Sequence, residues 1–114
     1  MPLHFGFKSN AGEQVGSLFI ITNNLNLLAE QVGLYPYLWT PTQVAVTTAS
    51  QLVQPLNDAL ALMDEKREAL RVYEPPNKYG TVESLERIAS SMLAICNEFG
   101  DASITSEVVT QGTT

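Results

Sequence analysis

The chain begins with an alternation. Leu3, Phe5 and Phe7 are apolar, with His4, Gly6 and Lys8 between and after them, and this period of two predicts a short half-buried strand. Asn10 and Glu13 stand three apart, the spacing of a capping box, and predict a helix behind them. In that helix Leu18, Ile21, Leu25, Leu28 and Val32 follow at intervals of 3, 4, 3 and 4, and Gly33 supplies a C-terminal stop. Asn23, Asn24 and Asn26 lower the helix propensity of the span, so a strand through Leu18 to Thr22 competes with the helix.

Tyr35-Pro36-Tyr37-Leu38-Trp39 reads as an aromatic connector with proline punctuation. Thr40-Pro41-Thr42-Gln43 then has the form of a helix start, with Thr40 as N-cap, Pro41 in the first turn and Gln43 closing a box. The apolar stripe behind it runs through Ala45, Ala49, Leu52, Leu56, Ala59, Met63, Leu70 and Tyr73, broken where Lys66 takes a seam position. A helix of that length would span about 50 Å. Pro55 removes one hydrogen bond and crowds the carbonyl of Gln51, so a kink is expected there.

Pro75-Pro76 ends the second helix, and a turn leads to Gly80. A third helix is expected from Thr81 to Gly100. Val82, Leu85, Ala89, Met92, Cys96 and Phe99 form its stripe, and Ile88 and Ile95 widen it. The short turn predicts an antiparallel αα-hairpin of the second and third helices. Ile104 to Val109 reads as a strand, expected to pair with Leu3 to Phe7 because two isolated short strands are unstable alone. Thr110 to Thr114 is a polar tail. The expected fold is mainly α: one domain over residues 1–114, three principal helices, the second long and kinked at Pro55, and short N- and C-terminal strands.

Composition narrows the function. The hydrophobic fraction of 45% is too high for a disordered chain, and 114 residues suffice for one modest core. Twelve acids against six bases give a net charge of −6, which argues against nucleic acid or an anionic membrane surface as the main partner. The greasiest run, Leu18 to Ile21, is only four residues long, no span reaches the length of a membrane helix, and no basic-then-apolar leader pattern is present. A cytoplasmic location, or one within a virus particle, is the expectation.

Candidate chemistry is sparse. Cys96 is the one cysteine, so no intrachain disulfide framework exists, and its stripe position predicts a small buried hydrophobe. His4 is the one histidine and has no second His or Cys to share a metal. No cofactor is implied, and no nucleophile–base pair can be drawn for an enzyme. Asp64, Glu65, Glu68, Glu83 and Glu86 form acidic clusters interleaved with bases. Asp64 to Arg67, Glu68 to Arg71 and Glu83 to Arg87 have the spacing of helical ion pairs, the pattern of a solvated face. Arg67, Arg71, Tyr73, Lys78 and Tyr79 nevertheless bring charge and aromatic faces together, a candidate site for a phosphate or nucleotide.

The most informative feature is a gap. From Gln14 to Asn57 the sole charged residue is Glu30, whereas ten of the twelve acids and five of the six bases lie from Asp58 onward. Charge depletion with tyrosine and tryptophan enrichment marks the buried centre of protein–protein interfaces. Tyr35, Tyr37, Leu38 and Trp39 are therefore candidate anchors, and Asn24 and Thr47, off the apolar stripes, are candidate covered polar positions. The sequence points to a non-enzymatic structural protein that packs into a homo-oligomer or larger particle. A cement, adaptor or connector subunit of a virus would fit. A small oligomeric regulator or inhibitor, binding a nucleotide or partner protein through its basic hairpin, is the alternative.

Overall fold

The computed structural model describes residues 2–76 and 80–108. Lys78, Tyr79, Val109 and the Thr110–Thr114 tail lie outside the described residues. The alternating Leu3, Phe5 and Phe7 lie on β1 (Leu3–Lys8), the centre of an antiparallel sheet of order β2-β1-β3. All three side chains are buried and face the helices. β3 (Ser103–Val108) pairs with β1, as expected of two short strands that are unstable alone, with Leu3 opposite Val108 and Phe7 opposite Ile104.

The other partner of β1 corrects the first helix. Residues expected to be helical form β2 (Gln14–Ile21), with Leu3 opposite Ile21 and Phe5 opposite Phe19. The turn before it is a hairpin loop, not a capping box: Ser9 N–H donates to the Glu13 carbonyl at 2.8 Å, and Gly12 takes φ +83°. That angle favours glycine because it has no Cβ to clash. The strand reading of Leu18 to Thr22 was the right one over most of its length, and helix starts later. Thr22 Oγ1 accepts from Asn24 N–H at 3.3 Å, a 3-10 turn covers Asn23–Leu25, and α1 (Asn26–Gln31) follows. Gly33, φ +80°, does end this helix, with Leu34 N–H donating back to the Ala29 carbonyl at 2.8 Å.

The aromatic connector is itself a short helix, α2 (Tyr35–Trp39), with Pro36 tolerated in its first turn. Thr40-Pro41 starts only a single 3-10 turn, Pro41–Val44. It stops at Ala45, whose left-handed φ of 57° turns the chain out of helix. The long kinked helix is thereby replaced by separate pieces. A 3-10 turn at Ala49–Leu52 leads into α3 (Val53–Glu65), which closes at Lys66, the residue that breaks the apolar stripe. α4 (Arg67–Leu70) and a 3-10 turn (Arg71–Tyr73) follow. Pro55 sits in the first turn of α3, where a missing N–H costs little, so it does not kink a longer helix.

The third helix stands as α5 (Val82–Glu98). Thr81 is its N-cap, accepting from Ser84 N–H at 3.1 Å, and Val82, Leu85, Ala89, Met92 and Cys96 are its buried stripe. Phe99, placed on the stripe by spacing, is 40% exposed because the helix has ended. α3 and α5 run in opposite directions. Ser50 N–H donates to the Gly100 carbonyl at 2.9 Å beside the start of α3, while Arg67, just past its end, reaches Glu83 at the start of α5. The core lies between this helical layer and the inner face of the sheet.

Candidate functional site

Two surfaces hold the residues singled out from the sequence, and their chemistry differs. The first is the junction of α4, the turn behind it and the start of α5. Arg67 Nη2 lies 2.7 Å from Glu86 Oε2, and Arg67 Nη1 lies 3.2 Å from Glu83 Oε2. Arg71 reaches Glu83 at 2.8 Å, Glu68 at 3.0 Å and Glu74 at 3.1 Å. Glu74 also accepts from the Val82 N–H at 2.8 Å, placing a carboxylate on the N-terminus of α5. The expected Glu68–Arg71 pair is present, and Asp64–Arg67 is a long one at 4.0 Å. Glu83, expected to face Arg87 along its own helix, instead crosses to Arg71 and Arg67.

Electrostatics follow from this geometry. Hydrogen bonding to Arg71 holds the Glu83 carboxyl down at about 2, and the hydrogen bond to Glu86 raises Arg67. Hydrogen bonding to Glu83 and Glu68 raises Arg71 as well. The guanidinium forks that would grip a phosphate thus already grip carboxylates. Tyr73 is half-buried and packs against the core.

The second surface belongs to the uncharged span. Tyr35 and Trp39, one helical turn apart on α2, stack with ring centroids 5.1 Å apart and planes 6° from parallel. Both are half-buried against the core. Leu38 is fully enclosed by the chain's own core, so it offers nothing to a partner of this fold. Its carbonyl accepts from Ser106 Oγ, which ties α2 to β3. Tyr37 lines a cleft of about 400 Å³ with Val32, Gly33, Gln51, Gln54, Pro55 and Asp58. Asn24 is half-buried in the 3-10 turn. Thr47 is exposed, and it lies in the loop before α3 instead of on a helix. Its N–H and that of Thr48 donate to Gln51 Oε1 at 2.7 and 3.0 Å.

The residues that a helical reading of 10–22 hid are Leu18 and Ile20. On β2 they are 42% and 62% exposed. Their neighbours fix the face: Ile20 stands opposite His4, and Leu18 lies over Gly6, where a Cβ would come within 3.1 Å of it. Both belong to the sheet face turned away from the helices. The signal that locates them is the alternation Phe19, Ile21 inward against Leu18, Ile20 outward, bounded by Gly12.

His4, half-buried, stands between Ile20 and Glu107 on that outer face. Cys96 is 2% exposed on α5, and burial pushes its thiol up to about 11. Among the described residues no group of three or more His, Cys, Asp or Glu is placed to hold a metal ion. Nor is any described helix long and apolar enough to cross a membrane. No protein family matches the chain, and comparison with curated proteins and with solved structures finds no match.

Proposed function

We propose that this chain is a non-enzymatic assembly protein that packs into a homo-oligomer or a larger particle. A structural subunit of a virus, such as a cement, adaptor or connector protein, is one setting of that kind. One observation carries the reading. The span with a single charge, 14–57, supplies an exposed sheet strand and the stacked Tyr35–Trp39 pair, while the charges are concentrated around α4 and α5. A solvated strand on a free monomer ordinarily carries lysine or glutamate, which keep it from associating. The alternative, a regulator binding nucleotide through Arg67, Arg71 and Tyr73, draws less support because both guanidinium groups are engaged by carboxylates.

Light scattering over a range of protein concentrations tests the proposal. The expected result is a mass above that of one chain. Thr47→Lys, Asn24→Glu and Trp39→Ala are expected to shift the population to smaller species with helix signal retained, Trp39→Ala by up to a few kcal/mol of association energy. A wild-type chain that stays monomeric at high concentration defeats the homo-oligomeric form of the proposal. Phosphate or nucleotide binding that is lost in Arg71→Gln would favour the regulator instead.

A further inference from the structure

Resting on the assembly reading, we propose that the free edge of β2 forms one contact of that assembly, by antiparallel pairing with β2 of a second copy. The two edges of the sheet are treated differently by the fold. The β3 edge is covered at its start: Thr48 bridges to Ser103, and Ile104 N–H donates to the Thr47 carbonyl at 3.1 Å. α2 is tied to the same strand through Ser106 and Leu38. β2 is the opposite edge, and among the described residues β1 is its sole backbone partner. An uncovered strand presents a row of unpaired N–H and C=O groups, which templates pairing with another chain.

Charge selects the occupant. The molecule carries −6, so two copies repel unless they meet where no charge is present. β2 is uncharged over its whole length, Gln14–Ile21, whereas β3 carries Glu107 on the outer face beside His4. A like-charged copy can approach the first without opposing carboxylates, and a two-fold contact uses the same strand twice. The irregular pairing spans Gly16 (φ +70°) to Leu18, between the Phe7–Val15 and Phe5–Phe19 pairs, and leaves Phe19–Ile21 as the regularly paired part of the strand, with Leu18 next to it. A two-fold axis perpendicular to the sheet at Phe19 sets Leu18 of each copy opposite Ile20 of the other. The four side chains then close over one another on the outer face, and the result is a continuous sheet of order β3-β1-β2-β2-β1-β3.

The test is the solution mass of the full chain with Ile20→Lys, Leu18→Lys and, as control, Val72→Lys. Val72 is 77% exposed and lies in the turn behind α4, away from the sheet. Both strand substitutions should weaken self-association by about tenfold or more, with circular dichroism unchanged, and the control should not. An equimolar mixture of Leu18→Cys and Ile20→Cys chains should form a mixed disulfide faster than either chain alone, which reads the register directly and needs no destabilising change. A wild-type oligomer whose mass survives both lysines overturns the β2 contact but leaves assembly through α2 standing. A wild-type monomer overturns both. Growth into open ladders in place of a closed dimer would mean that β2 pairs with β3 of the next copy, and would overturn the two-fold arrangement.

Discussion

Gly16 and Cys96 each show how one residue is fixed by its surroundings. A Cβ at Gly16 would stand 2.6 Å from Ile95 Cδ1, and the backbone there has φ +70°. Gly16→Ala should therefore destabilise the fold by more than about 1 kcal/mol, through strain and crowding together. Pairing it with Ile95→Ala should recover part of the loss, since only the crowding is relieved. Denaturant unfolding of the two single variants and the double variant measures that coupling, and strict additivity would mean the close approach of β2 to α5 is wrong. Cys96 is enclosed by the core, and its raised thiol pKa leaves little thiolate at neutral pH. Thiol labelling of the native protein should be slow. Cys96→Ala should cost about 1 kcal/mol and Cys96→Asp about 3 kcal/mol or more, because the carboxylate would be buried without a partner. Rapid labelling would place the thiol at the surface.

At the scale of elements, α3 depends on the loop that delivers it. Gln51 Oε1 accepts from the N–H groups of Thr47 and Thr48, and its Nε2 donates to the Ala45 carbonyl at 3.4 Å. Gln51→Ala should cost about 1 kcal/mol in thermal or denaturant unfolding, and Gln51→Glu should recover most of it by keeping the acceptor. Equal losses in the two variants would show that the amide donor, not the oxygen, holds the loop. This device also marks how far the elements could be read in the sequence. α5 was legible because its stripe is long, its cap is Thr81 and nothing interrupts it. β1 and β3 were legible as short strands, and their pairing followed from the instability of either alone. The span 10–32 was not, because strand residues Leu18 and Ile21 happen to continue at helical intervals into Leu25 of the 3-10 turn and Leu28 of α1. Competing patterns of this kind are separated by tertiary packing, here the pairing of β2 with β1. The span from Thr40 failed for a different reason: Ala45 lies on the stripe by spacing but adopts a left-handed turn and is exposed. Alanine carries no strong signal against helix, so no residue announced the break. Of the candidate sites, the charged cluster around Arg67 and Arg71 was visible as interleaved signs. That Glu83 turns away from Arg87 depends on where α4 meets α5, which spacing along one helix does not contain.

For the molecule as a whole, the split of charge between the two halves gives each a different dependence on solution conditions. Arg67 and Arg71 draw Glu74, Glu83 and Glu86 together and so fasten the segment behind α3 to the start of α5. These groups are partly exposed, so salt screens them and their worth is modest at high ionic strength. Their pH dependence has a definite sign. Glu83 has a folded value of about 2 against an ordinary 4.5, so protons favour the unfolded chain. Its contribution is fully present above pH 4.5 and is lost as pH falls through about 2. Wild-type Tm should thus decline across that window, and Glu83→Gln, which cannot titrate, should be less stable than wild type at neutral pH and approach it near pH 2. A gap in Tm that stayed constant from pH 7 to pH 2 would show that the ion pairs contribute through shape alone. The β2 strand contains no titratable side chain, so its backbone pairing and the Leu18–Ile20 contact have no protonation event of their own in the window from 4.5 to 2. Unfolding by acid should therefore begin where α4 meets α5, with loss of α5 packing preceding loss of the sheet. Amide exchange at pH 3 checks the order: protection should fall first near Val82 and last on β1. Simultaneous loss at both places would make the fold a single cooperative unit, with no weak point at the ion pairs.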